Sequence, residues 1–327
     1  MHLKLIKEEL YTAIIFGGVD GERFVSLASA KNLSKSFRFD KYIYVHKDKN
    51  IFIVEEDEIM KQPIDFISEF AFETYNNQAL SIKEVIKELP KNTIFFIALH
   101  GKYGEDGDIQ EELESMNIKF TGSSSIACRL AFNKKQSKTI ASKKGLKVPL
   151  TINDKNNNSG RIITKPIKGG SSIDVNYYNN YAECPDEIKS NSNYLIEEVI
   201  NGREFSCAVI NKKIGLQEAL VPIEILTDDI FGYEEKYIST KTKEIVLKGE
   251  EDLIKKIQKN SEIMHTALKC TGYSRSDFIY NGEDLFYLET NTLPGLTKSS
   301  IIIKELKEEG ITLSEFIEGQ INLNIQM

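Results

Sequence analysis

Apolar and polar positions along the chain switch between two periods, and the switch points mark its elements. "YTAIIFGG" (Tyr11 to Gly18) and "NTIFFIAL" are continuous apolar runs, which predict strands buried on both faces. "KYIYVHK" and "IFIVEE" predict short strands. "ERFVSLASAKNLSKSF", "SIKEVIKEL" and "DIQEELESMN" carry apolar residues at helical spacing. Strands alternating with helices predict a parallel sheet wrapped on both faces, running to about Gly122. A helix from Ser124 to Gly145 follows, ending at a glycine cap. "RIITKPIKGGSSIDV" reads as strand, glycine-rich turn, strand, and "YLIEEVINGREFSCAVI" as a hairpin around Asn-Gly. "NDKNNNSG" and "DDIFGYEEKYIST" read as loops, and "EEDLIKKIQKNSEIMHTALKC" as an amphipathic helix. Strands through "GYSRSDF" and "LFYLETN" and a last helix from about Ser299 complete a second half of α+β type. There is no internal repeat.

Composition narrows the function classes. With 327 residues the chain is long enough for two or three domains with their own cores. Net charge is −7 and no dense Lys/Arg stripe occurs, which argues against nucleic acid as the main partner. Acidic residues interrupt the first fifteen positions, where a signal peptide would need its apolar core, and the longest apolar runs are too short to span a bilayer. Cys128, Cys184, Cys207 and Cys270 are scattered, without a CxxC pair or a neighbouring His. They read as buried free thiols in a reducing, cytoplasmic setting, with no membrane partner.

Five stretches carry candidate chemistry, each with a plain structural alternative. In "LFYLETNTLPGLTKSS" Glu289 and Asn291 stand at i and i+2 of a strand and so share a face, and Asp277 lies twelve residues upstream. A hard-oxygen set without His or Cys suits Mg²⁺, or else a solvated edge strand. "KPIKGGSS" offers backbone N–H groups to a phosphate but lacks the Walker spacing; a plain hairpin turn is the alternative. "EEVINGREF" could present backbone groups to a base edge, with Glu204 on a ribose, or simply carry surface glutamates. "FGGVDGERFVS" sets glycines at a helix start, which favours an anion, while Glu22 equally stabilises the helix dipole. "ALHGKYGEDGDIQ" ends a strand at His100, at the sheet edge where open α/β folds bind ligands, although His100 also fits a packed loop.

Taken in order, these stretches resemble the D-alanine–D-alanine ligases of the ATP-grasp superfamily. The resemblance runs through "IIFGGVDGERFVSLASA", "LHGKYGEDGDIQ", "FTGSSSIA", "NKKQSK", "TKPIKGGSSI", "LIEEVINGREF", "GYEEKY", "GYSRSDF" and "LETNTLPGLTKSS", over nearly the whole chain. It implies an ATP-grasp architecture, α/β and α+β, behind a Rossmann-like parallel-sheet domain. The implied units are 1–122 for substrate and dimer contacts, 123–206 for the lid, and 207–327 for catalysis. The implied reaction is ATP-dependent joining of two D-alanines through an acyl phosphate, for peptidoglycan precursors. Two Mg²⁺ (or Mn²⁺) would be held by Asp277, Glu289 and Asn291, with Glu289 bridging. Homodimers are usual in the family.

The resemblance also implies roles for single residues. Arg275 would stabilise the acyl phosphate, and the Gly295 N–H would donate to the oxyanion. Lys134, Lys165 and Lys236 match phosphate-binding lysines, while Ser171 and Ser172 sit on the glycine loop. Glu197 and the backbone around Val199 would read adenine, and Glu204 the ribose. Glu22, Ser171 and Tyr237 would form a hydrogen-bonded triad that orients the first ammonium and closes a lid. His100 would lie near the first substrate, and Ser300 and Ile301 near the second. Phe24, Asn133, Asp174 and Ile301 depart from the usual residues. The alternatives are a ligase for D-serine, D-lactate or another second substrate, or an ATP-binding relative without ligation; Tyr237 argues against the lactate branch.

Overall fold

The computed structural model describes residues 10–64, 70, 72, 79–153, 160–170, 174–226 and 243–325. The order of elements is β1 (Tyr11–Gly17), α1 (Arg23–Ser34), β2 (Lys41–Val45), β3 (Ile51–Val54), α2 (Glu56–Lys61), α3 (Ile82–Glu88), β4 (Thr93–Ile97), α4 (Asp108–Ser115), β5 (Lys119–Phe120), α5 (Ser125–Phe132) and α6 (Lys134–Lys143). Then come β6 (Ile162–Pro166), β7 (Asn176–Tyr178), α7 (Asp186–Ser190), β8 (Tyr194–Glu198), β9 (Arg203–Lys213), β10 (Leu216–Ala219), β11 (Ile223–Leu226), β12 (Lys243–Val246), α8 (Glu251–Ala267), β13 (Tyr273–Tyr280), β14 (Leu285–Asn291), α9 (Ile301–Glu308) and α10 (Leu313–Ile325). No helix of the described residues is long and apolar enough to cross a membrane.

Three sheets organise these elements. The first has the order β3-β2-β1-β4-β5, parallel except for the antiparallel edge strand β3. Its central strands are apolar along their length because helices cover both faces, as the continuous runs predict. The second has the order β12-β11-β9-β13-β14, with β10 beside β9, and its pairings are antiparallel. The third, β7-β6-β8, is small. Ile152, Ile162, Tyr181, Cys184 and Ile196 form its core. α5 and α6 pack through Ala131 and Ala141 against the second sheet, while α9 and α10 send Ile302, Leu306, Phe316 and Ile317 into the core of the first. The C-terminal helices therefore join the first and second sheets.

Three elements differ from the sequence expectation. The Asn201-Gly202 pair does not close a hairpin: β8 pairs with β6 and β9 with β11 and β13, so the pair carries the chain between two sheets. Gly202 is there for room, since a Cβ would lie 2.3 Å from the Tyr280 carbonyl oxygen. The helix expected from Ser124 to Gly145 breaks at Asn133, which is extended and caps α6 by accepting from the Gln136 N–H at 3.1 Å. The last helix breaks at Gly310, whose φ of 72° is left-handed, dividing α9 from α10.

Candidate active site

The centre of the site is a facing pair of strands. β13 and β14 pair with Arg275 opposite Asn291 and Asp277 opposite Glu289, so the two-residue spacing on each strand brings all four side chains to one face. Arg275 clamps Asp277 with two bonds, Nε to Oδ1 at 3.0 Å and Nη2 to Oδ2 at 2.9 Å. Ser206, opposite Asp277 on β9, donates to Oδ1, and Asn291 Nδ2 approaches Oδ2 at 3.5 Å. Glu289 meets Lys134 at 3.1 Å. Burial works against the Glu289 charge, but Lys134, Lys165 and Arg275 outweigh it and hold the carboxyl down to about 2. Burial likewise opposes the Arg275 charge, and Asp277 and Glu289 overcome it. Two carboxylates and an amide, beside the cations Lys134 and Arg275, are hard donors that fit a Mg²⁺ shared with phosphate oxygens. Among the described residues no group of three or more His, Cys, Asp or Glu gathers as a metal cluster, so such an ion would draw its other ligands from its substrate or water.

A cleft opens beside this pair, between the second and third sheets. Lys134, Lys165, Gly169, Gly170, Glu197, Val199, Glu204, Asp277 and Glu289 are in its walls. Lys134 opens α6, and its Nζ also reaches the Gly169 carbonyl at 2.5 Å, tying the helix to the glycine loop. Glu197 on β8 is fully buried and engages two lysines, Lys165 at 2.7 Å and Lys138. Its carboxylate is committed to those lysines. The Val199 N–H is committed too, donating to the Arg161 carbonyl at 3.0 Å. Glu204 stands on β9 opposite Ile279 and Ile225, within the cleft wall.

The far end is built by loops that meet from distant parts of the chain. At the end of β1, Ser26 accepts from the Gly17 N–H at 2.8 Å and donates to the Ala98 carbonyl at 2.7 Å, fixing the start of α1 against β4. This sets Glu22 between two loops. A Cβ on Gly170 would lie 2.9 Å from Glu22 Oε1, and one on Gly101 2.6 Å from Oε2. Glu22 thus touches the glycine loop one residue before Ser171; Ser171, Ser172, Lys236 and Tyr237 lie outside the described residues. Glu105, held by the Gly101 N–H at 3.2 Å, faces the same region, and burial and then Glu22 push its carboxyl up to about 8.

His100 is buried with both ring nitrogens engaged, Nδ1 with the Leu293 carbonyl and Nε2 with Ser29 Oγ, each at 2.9 Å. Ser29 in turn accepts from the Leu296 N–H at 3.1 Å, so His100 fixes the Leu293–Leu296 turn and offers no free nitrogen to a ligand. Burial lowers its pKa to about 4, so the ring is neutral. Gly295 sits on that turn, where a Cβ would lie 3.0 Å from Ser300 Oγ. Ser300 accepts from the Thr297 N–H at 3.0 Å and precedes α9, where Ile301 is the first, buried residue. Of the departures, Phe24 packs on Phe70 and under the Arg23 guanidinium, and Asp174 is exposed at φ 58°. Sequence reasoning passed over Lys138 and Glu105. Lys138 shares the helix face of Lys134 one turn away, a signal that was there to read; Glu105 lies in an aperiodic loop that gives none.

With this geometry in view, the comparisons with known proteins are consistent along the chain. Residues 11–123 match the family model for the D-ala D-ala ligase N-terminus, and residues 130–322 that for the C-terminus. A D-alanine–D-alanine ligase from Oceanobacillus iheyensis is 31% identical over 96% of this chain and 94% of its own. The crystal structure of the VanG D-Ala:D-Ser ligase from Enterococcus faecalis superposes with a TM-score of 0.77 at 25% identity, covering 96% of this chain and 99% of that one. The fold is also that of a Bacillus anthracis D-alanine–D-alanine ligase complexed with ATP, with a TM-score of 0.70 at 24% identity, covering 97% and 98%.

Proposed function

Because the chain belongs to the D-alanine–D-alanine ligase family, we propose that it joins two D-alanines at the expense of one ATP. The observation that carries this reading is the shared face of Arg275, Asp277, Glu289 and Asn291, opening onto a cleft walled by Lys134 and Lys165. A carboxylate has to approach a polyphosphate there, and concentrated positive charge makes that approach possible. Lys134 and Lys165 bind the phosphates, joined by Lys236, with Ser171 and Ser172 covering them. Glu204 holds the ribose. Asp277, Glu289 and Asn291 would hold Mg²⁺, which when bound neutralises phosphate charge.

The chemistry then runs in two displacements. The carboxylate of the first D-alanine, its ammonium oriented by Glu22, attacks the terminal phosphorus as the bond to ADP breaks. The free amine of the second D-alanine attacks the carbonyl of the resulting acyl phosphate, the C–O bond breaks, and inorganic phosphate leaves with the electron pair and takes up the proton that the nitrogen sheds. Arg275 and the Gly295 N–H stabilise the oxyanion between these events, and Ser300 and Ile301 bound the second substrate. Closure of Tyr237 and Ser171 over Glu22 excludes water, which would hydrolyse the acyl phosphate. Use of the dipeptide in peptidoglycan, a cytoplasmic location and a homodimer belong to the same reading, supported by family membership.

The VanG likeness raises D-serine as a second substrate, and Ile301 is the departure that bears on it. The test is product analysis with ATP and D-alanine alone, then with D-serine, D-lactate or L-alanine added. D-alanyl-D-alanine should dominate, with no product from L-alanine, whose inverted Cα moves the ammonium away from Glu22. Faster turnover of D-serine, or equal use of L-alanine, overturns the assignment.

A further inference from the structure

We propose that Lys138 is a positioning residue for the nucleotide: it shares Glu197 with Lys165, and so leaves Lys165 with a net positive charge to present to the phosphates. Lys138 is 6% exposed and is not among the residues of the cleft wall, so it acts on a ligand through its buried neighbours Glu197 and Lys165. Glu197 is 0% exposed, and Lys165, paired with the same carboxylate at 2.7 Å, does line the cleft. The arrangement follows from the elements. Lys134 and Lys138 are one turn apart on α6 and point to the same side. Glu197 on β8 lies opposite Ile163 on β6, which puts Lys165, two residues along β6, on the same sheet face.

Charge accounting gives the arrangement its purpose. With both lysines protonated, one carboxylate and two ammonium groups carry a net charge of about +1 in a site that water screens poorly. Without Lys138, Glu197 and Lys165 would form a neutral pair, and incoming phosphates would have to compete with Glu197 for the lysine. With it, Glu197 is already compensated and Lys165 contributes its charge outward. Burial, and then the neighbouring Lys165, lower Lys138 to about 7 against the pull of Glu197, so the extra charge is fully present below neutral pH and shrinks above it.

This inference rests on the reading of the cleft as an ATP site, and the experiment separates the two. ATP binding is measured by calorimetry, alongside KM for ATP and for D-alanine, in the full-length protein and three variants. Lys138→Met should weaken ATP binding about tenfold while the KM for D-alanine changes by less than about twofold. Lys138→Arg should stay within about threefold of wild type, because it keeps the charge. Lys138→Met combined with Glu197→Gln removes both charges and should recover most of the lost affinity, a coupling that loss of packing would not produce. The double variant also decides the matter if Lys138→Met alone does not fold. Unchanged ATP binding in Lys138→Met, equal losses toward both substrates, or a double variant as weak as the single one would overturn the role. A wild-type protein that binds no ATP would instead overturn the functional reading, and this role with it.

Discussion

Glu289 is an acid that part-buried surroundings would protonate, kept ionised by Lys134, Lys165 and Arg275 at about 2. Its charge is therefore favoured by the fold and available to a cation. Glu289→Gln keeps the shape and removes the charge, and turnover should fall by at least about a hundredfold at saturating Mg²⁺, the scale on which loss of a charged partner acts in a transition state. Steady-state kinetics with circular dichroism as a folding control will test this; near-normal turnover would remove Glu289 from the centre. His100 carries a different expectation. Its imidazole is neutral in the fold, at about 4, against an ordinary 6.5. The unfolded chain binds a proton there that the folded chain does not, so stability should fall as pH drops through that window. Asparagine at position 100 does not titrate, and chemical denaturation of His100→Asn between pH 6.5 and 4 should show a flatter loss. At this scale the sequence was most legible where a strand's period of two fixes direction, as for Glu289 and Asn291. It was least legible for Glu197, where the partners of a buried carboxylate come from a helix and a strand far away along the chain.

Strands and helices were largely readable because each buried face leaves a period. The misread elements share one cause: the local signal was genuine, but tertiary pairing decided its use. Asn201-Gly202 has the composition of a tight turn, yet its flanking strands find their partners in different sheets. Gly202→Ala should be strongly destabilising, on the order of 2 kcal/mol or more, because the contact it meets is backbone, which cannot yield as a side-chain tip does. Thermal unfolding decides; a change within error would mean that the crossing is looser than its 2.3 Å approach indicates. Glu305 shows the same lesson for a helix. It is fully buried on α9 and accepts from the Ala208 N–H at 2.9 Å, at the point where β9 passes from pairing with β11 to pairing with β10. Oε2 has no partner among the described residues, and burial drives the carboxyl up to about 8. From the ordinary value near 4.3 up to about 8, the folded chain holds a proton that the unfolded chain has lost, so stability falls as pH rises through that range. Glu305→Gln should flatten this fall and be the more stable form at pH 8, read from paired denaturation curves; an unchanged slope would show Glu305 ionised in the fold.

At the scale of the molecule, the site exists only where the three sheets meet. The first supplies Glu22, His100 and Glu105 from the ends of its central strands, the second the Arg275–Asp277–Glu289–Asn291 face, and the third the lysine and glycine wall. No single sheet's pattern announces such a junction, which is why composition and periodicity gave the parts and colinear resemblance gave their assembly. The central claim is that these parts bring a D-alanine carboxylate to the terminal phosphate of ATP and then an amine to the activated carbonyl. The most direct measurement uses D-alanine carrying heavy oxygen in its carboxyl group, with ATP, followed by mass analysis of both products. An acyl phosphate predicts one labelled oxygen transferred to inorganic phosphate for every D-alanyl-D-alanine formed. Dipeptide accompanied by unlabelled phosphate, or ATP hydrolysis without dipeptide, would contradict the account.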